Sequence, residues 1–114
     1  MKTYGLTICL QDDPAKIESY KEYHRAVWPD VTRKLREVGV HEMRIFLRDR
    51  RMFMYIETTD EFTPRDLVRV NEDPKSAEWN AVMATLQERA PEADPDEWWA
   101  PMELAFDMSW PQHR

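Results

Sequence analysis

The chain has 114 residues, 42% of them hydrophobic and 33% charged, with a formal net charge of −6 and one cysteine. That length supports the core of a single domain, the acidic balance argues against nucleic acid or an anionic membrane as partner, and a lone Cys9 allows no internal disulfide. No apolar run reaches the length of a membrane span and no signal-peptide core opens the chain, so a cytoplasmic protein is expected; the two glycines leave no phosphate-cradling glycine-rich loop.

From the N-terminus, Thr3 to Leu10 alternates, with Tyr4, Leu6, Ile8 and Leu10 on one face, and reads as a strand. Asp12-Asp13-Pro14 is an N-cap signal with proline in the first helical turn. The helix that follows carries Ile17, Tyr20, His24, Val27, Trp28, Val31, Leu35 and Val38 on one stripe. Pro29 biases Trp28 out of the α region, so the stripe is expected to break into Ile17–His24 and Pro29–Val38, ending at Gly39. Val40 to Arg48 and Met52 to Thr58 form a hairpin over the polar turn at Asp49 to Arg51. Thr63-Pro64-Arg65-Asp66 opens a short helix with a capping-box pattern and stops before Pro74. A further helix, from about Lys75 to Arg89, buries Trp79, Val82, Met83 and Leu86. An acidic, proline-rich loop with Trp98-Trp99 leads to a last strand, Met102 to Trp110.

The order β-α-β-β-α-β predicts an α+β, ferredoxin-like fold with an antiparallel sheet, in a single domain over residues 1–110 with a C-terminal tail at 111–114. The sheet face away from the helices carries Glu42, Arg44, Tyr55, Glu57, Glu103 and Asp107. Such a face is either solvated, lines a cleft, or meets the same sheet of a second subunit.

His24 is the residue that calls for an explanation, an imidazole between Tyr20 and Trp28 on an otherwise apolar face. Placed near the end of a helical segment, where the dipole favours the imidazolium, it is a sensible proton donor; as a core residue it would only need a backbone partner. His41 reads as solvent-facing, and the three histidines have no metal-ligand spacing. Trp79 sits on a regular apolar stripe. Two adjacent indoles at Trp98 and Trp99 cannot both enter one core, so one is expected at a cleft or contact. Tryptophans beside polar groups suit a small polar ligand with an apolar face, such as a sugar.

The segments D-D-P, Y-K-E-Y-H-R-A-V-W-P-D-V, R-E-V-G-V-H-E-M-R-I-F, D-P-K-S-A-E-W-N-A-V-M and W-A-P-M-E-L-A-F, in that order over nearly the whole chain, resemble the L-rhamnose mutarotase family. The resemblance implies a dimeric α/β-barrel that interconverts the anomers of a 6-deoxy-hexose without cofactor or metal. It also implies that His24 is the proton donor and that Tyr20 and Trp79 contact the sugar. Two positions depart from the family pattern: Asn80 stands where a second tryptophan follows Trp79, and Met43 stands where a tyrosine is usual. Both fall on sugar contacts and bear on sugar identity rather than reaction type. The D-D-P, H-R-A-V-W-P and W-A-P-M-E segments look closer to a branch associated with L-fucose, which makes Trp99 a further sugar contact. The expected chemistry is acid/base ring opening, with His24 serving the ring oxygen and a base such as Glu103 or a held water. The partners implied are a monosaccharide and a second copy of the chain. Two rivals are a cofactor-free or haem-degrading monooxygenase on the same barrel and a sugar-binding module that performs no catalysis.

Overall fold

The computed structural model describes residues 1–111. Its elements run β1 (Lys2–Leu10), α1 (Pro14–Arg25), α2 (Pro29–Glu37), β2 (Val40–Arg48), β3 (Arg51–Thr58), a 3₁₀ helix (Pro64–Glu72), α3 (Pro74–Ala84), β4 (Gln87–Glu88) and β5 (Ala100–Met102). The sheet is antiparallel, ordered β2-β3-β1-β4, with β5 also paired to β1. The fold is the expected α+β arrangement, helices against one face of an antiparallel sheet.

The period-2 pattern explains which face meets the helices. Leu6 and Ile8 stand opposite Met54 and Met52 across β1 and β3, and all four are buried with Leu10 and Ile56. Each such side chain contributes about 1.5–3 kcal/mol on burial. Under the helices the core has two clusters, one around Tyr20, Trp79 and Met83, the other around Val38, Phe62 and Val70. Leu35, Ile45 and Trp99 pack against both.

The break in the long helix occurs where proline demands it. The α1 helix starts under Asp13, whose Oδ1 accepts from the Ala15 N–H at 3.0 Å, and stops at Arg25. Trp28 is extended, φ −61 and ψ 133, and Pro29 opens α2, as the clash between proline Cδ and the preceding residue requires. At the end of α2, Gly39 takes φ 113, the left-handed conformation that needs glycine. The β2–β3 turn uses Asp49 at φ 54, a conformation that aspartate tolerates.

Three expected elements differ. The helix expected to reach Arg89 ends at Ala84, because Gln87 and Glu88 leave it to pair with Leu10 and Cys9 on the open edge of β1. The segment after Thr63 winds as a 3₁₀ helix, with the Asp66 carboxylate accepting from the Thr63 N–H at 2.8 Å. The last strand is only Ala100–Met102, paired with Gly5 to Thr7, rather than Met102 to Trp110. Pairing stops at Met102 opposite Gly5, although β1 extends back to Lys2, so the chain leaves the sheet after three residues. Its alternating Leu104, Phe106, Met108 and Trp110 are exposed instead.

The face of the sheet away from the helices is polar and aromatic, as expected. Cross-strand pairs there are Glu42–Glu57, Arg44–Tyr55 and Phe46–Phe53. The Tyr55 hydroxyl donates to Glu57 at 2.7 Å, and the Phe46 and Phe53 rings stack 6.1 Å apart, both exposed. Glu103 and Asp107 lie beyond the paired strands. Apart from Pro111, the expected tail at 111–114 falls outside the described residues. Among the described residues no helix is long and apolar enough to cross a membrane.

Candidate functional site

Four-residue spacing on α1 puts Tyr20 directly beneath His24, and their rings stack with centroids 4.1 Å apart and planes at 25°. Trp79, from α3, meets the His24 ring edge-on at 5.3 Å, and also the rings of Tyr23 at 5.8 Å and Trp28 at 5.2 Å. Aromatic pairs in such geometries are worth about 0.5–1.5 kcal/mol beyond their area, so this set holds the imidazole in a fixed orientation. Tyr20 is 5% exposed and Trp79 is 4% exposed, whereas His24 is half-buried. Trp99 packs against the core cluster that contains Tyr20 and Trp79. All four residues singled out in the sequence therefore share one region.

Hydrogen bonding sets what His24 can do. Its Nδ1 lies 2.9 Å from the Tyr20 carbonyl oxygen, which can only accept, so Nδ1–H donates and the neutral ring keeps an acceptor lone pair on Nε2. Burial lowers the His24 pKa below its ordinary 6.5, and the bond to the Tyr20 carbonyl offsets this only in part. The expectation of a resting imidazolium is thus corrected: desolvation outweighs the nearby helix terminus. The Tyr20 hydroxyl is pushed up to about 12 by burial, with the Gln87 side chain acting in the opposite sense. At neutral pH the stacked pair is a neutral base beside a neutral phenol.

Gln87 is a residue that sequence reasoning missed. It is buried, and its Oε1 accepts from the Trp98 indole N–H at 2.8 Å. Read as the tail of an amphipathic helix, it gave no signal. Trp98 is partly exposed, while Trp99 turns inward, which is the division of labour expected for the indole pair. His41 is exposed on β2, and Glu103 is exposed just after β5, so neither joins the aromatic set. Among the described residues no cluster of His, Cys, Asp and Glu is arranged to hold a metal.

A separate cleft of about 760 Å³ opens between the 3₁₀ helix, α3 and the loop before β5, lined by Arg65, Asn71, Asn80, Asp96, Trp98 and Trp99 among others. Neither Tyr20 nor His24 lines it. It holds no imidazole; its acidic groups are the carboxylates of Asp96 and Glu97. Trp99 is the wall that the two regions share.

The family model described as L-rhamnose mutarotase matches residues 3–108. A protein of Dictyostelium discoideum is 38% identical over 114 residues, covering 96% of this chain and 91% of its own length. An L-fucose mutarotase of Xanthomonas campestris pv. campestris is 32% identical over 103 residues, covering 88% of this chain and 82% of its own length. In structure, the L-rhamnose mutarotase of Formosa agariphila superposes with a TM-score of 0.68 at 20% identity, covering 95% of this chain and 99% of that one. At that identity the superposition speaks to the fold.

Proposed function

The chain belongs to the L-rhamnose mutarotase family, and we propose that it interconverts the α and β anomers of a 6-deoxy-hexose, L-fucose or L-rhamnose, by acid/base ring opening at His24. The observation that carries this reading is the His24 imidazole, neutral, clamped between aromatic rings and with only Nε2 free to exchange a proton.

Mutarotation breaks the bond between C1 and the ring oxygen. The anomeric hydroxyl must lose a proton and the ring oxygen must gain one, which leaves an open-chain aldehyde. Rotation about C1–C2 and closure on the other carbonyl face, with the two transfers reversed, gives the other anomer. Both oxygens are bonded to C1, so a single imidazole nitrogen can reach both. His24 Nε2 takes the anomeric proton and, as the imidazolium so formed, gives it to the ring oxygen. It thereby acts as base and then as proton donor, and no separate carboxylate is needed. The depressed pKa suits the first half, keeping the lone pair available at neutral pH, and makes the imidazolium a stronger acid in the second. Positioned groups of this kind contribute about 10²–10⁴-fold.

Tyr20, un-ionised until about pH 12, serves as a hydrogen-bond donor to the oxygen that gains negative charge. Trp79 is the wall behind His24, and Trp99 offers an indole face to the sugar's C–H surface. Asn80, next to Trp79 in the chain, and Met43, on β2, are the positions that set sugar choice. We further propose that the protein works in the cytoplasm as a homodimer that pairs the open sheet faces, with the exposed 103–110 segment of each chain lying against its partner. The alternation of Leu104, Phe106, Met108 and Trp110 and the exposed Phe46–Phe53 stack support it.

The test is anomer exchange measured by magnetisation-transfer NMR with L-fucose and L-rhamnose side by side. Acceleration of one or both is expected; binding of either sugar without acceleration would instead make the chain a sugar-binding module.

A further inference from the structure

Two stretches of this chain each lack a neighbour, and they match one another. The first is the outer edge of β2. That strand pairs with β3 alone, so every second residue turns its N–H and C=O away from the sheet, a template for a further strand. Its Met43, Ile45 and Leu47 pack on the helix face yet stay half-buried, whereas Met52, Met54 and Ile56 of the neighbouring strand are sealed. The second stretch is residues 103–107. Leu104 and Phe106 are 59% and 63% exposed, and residues 104–106 make no backbone hydrogen bond among the described residues. A turn closed by the Trp110 N–H on the Asp107 carbonyl at 3.0 Å ends the stretch. Its own sheet gives it no place. Continuing along β1 past the Gly5–Met102 pair would set Glu103 opposite Tyr4 on the helix face and Leu104 on the open one, since neighbours alternate between faces. The free edge of its own β2 lies four strand spacings from β5, about 19 Å. The three residues from Met102 to Ala105 span at most about 11 Å.

We infer that residues 103–107 add as an antiparallel strand to the free β2 edge of a second copy of the chain, with Ala105 opposite the partner's Phe46. That register pairs Glu103 with the partner's Arg48, Leu104 with the partner's Leu47, Phe106 with the partner's Ile45 and Asp107 with the partner's Arg44. Directly opposed residues share a face. Leu104 and Phe106 therefore complete the half-covered apolar layer, and two carboxylates meet two guanidinium groups on the open face. Glu103 and Asp107 are four residues apart, as are Arg44 and Arg48, and the smallest residue of the stretch meets the phenylalanine ring between them. A slip of one residue would press the carboxylates against Leu47 and Met43 instead. Among the described residues, none of these four charged groups has an ion-pair partner in its own chain. Asp107 spends Oδ1 on the Ser109 N–H and hydroxyl, both at 2.8 Å, and keeps Oδ2 for a guanidinium. The antiparallel direction is that of every pairing in the sheet. The exchange is reciprocal, so one two-fold pair covers both β2 edges.

The inference rests on the homodimer proposed above and is independent of the sugar chemistry. Cysteine cross-linking tests the register, since wild type carries only the buried Cys9. Glu103→Cys combined with Arg48→Cys should give a reducible covalent dimer under mild oxidation, because opposed Cβ atoms lie within reach of a disulfide. Glu103→Cys combined with Arg44→Cys, the pair that a parallel strand would oppose, should run as a monomer on the same non-reducing gel. Charge reversal at these exposed positions is the second arm. Arg48→Glu should weaken association about 3- to 10-fold in sedimentation velocity, and adding Glu103→Arg should restore it. A dimeric wild type with neither the cross-link nor the restoration would overturn the strand exchange and leave the dimer standing. A cross-link through position 44 in place of 48 would overturn the antiparallel register. A wild type that sediments as a monomer would remove the dimer and the exchange together.

Discussion

The two faces of the sheet follow opposite rules. On the helix face, Leu6, Ile8, Leu10, Met52 and Met54 are sealed under α1, α2 and α3, and the polar groups there, the Tyr20 carbonyl and His24 Nδ1 among them, are paired inside the chain. On the other face, Phe46 and Phe53 stack in the open, and the segment after β5 leaves Phe106 63% and Met108 86% exposed. Apolar surface of that extent, in strand-like alternation, fits the dimer proposed above. The first face is finished within one molecule and holds the proposed catalytic residue. The second is left open, and the proposed partner chain would cover it.

This contrast can be broken at either side. The largest effect is expected at Trp79, which touches Tyr23, His24 and Trp28 at once. Trp79→Ala should cost about 3–5 kcal/mol of unfolding free energy, read from a denaturant melt. Phe106→Ala, at dilutions where the chains are single, should change it by no more than about 0.5 kcal/mol. Equal losses at the two positions would mean that the C-terminal segment belongs to the core of its own chain.

The open face is sharpened by charge. Phe46→Glu combined with Phe106→Glu should convert a homodimer to monomer in sedimentation velocity, weakening association at least about tenfold, or 1.4 kcal/mol. The ring-current shifts of the Tyr20–His24 pair should stay as they are. A wild type that sediments as a monomer would remove the proposed dimer and leave the open face simply solvated.

A smaller effect follows from the depressed His24 pKa. The unfolded chain titrates this group near 6.5 and the folded chain below it, so between the two values the unfolded state holds more protons. The stability that neutral His24 contributes is complete above about pH 6.5 and is lost as pH falls through the folded value. His24→Gln should flatten the acid side of the stability–pH curve. Catalysis follows the same sign, with the rate holding to below pH 6.5 before it declines.

Much of this was legible in the sequence, for physical reasons that can be named. The break at Trp28-Pro29 follows from proline sterics. The Tyr20–His24 stack follows from i+4 spacing, and Trp79 was marked by its regular stripe. Other features depend on what the chain meets in space. Gln87 leaves a good helical pattern because β1 offers an unpaired edge to Gln87 and Glu88. Met102 to Trp110 alternates as a strand should, but a strand is made by its neighbour, and within one chain only Ala100–Met102 has one. The protonation of His24 was misjudged because helix-end position can be read from spacing, whereas desolvation requires knowing what packs around the ring. The Trp98–Gln87 bond spans the acidic loop and carries no local pattern at all.

The central claim is that His24 moves the proton that opens the ring. Magnetisation-transfer NMR of anomer exchange at neutral pH, with wild type and His24→Gln on the same sugar, tests it most directly. The account predicts strong acceleration by wild type and a loss of about 10²–10⁴-fold in the variant, at unchanged far-UV circular dichroism. Equal exchange rates for the two proteins would contradict it.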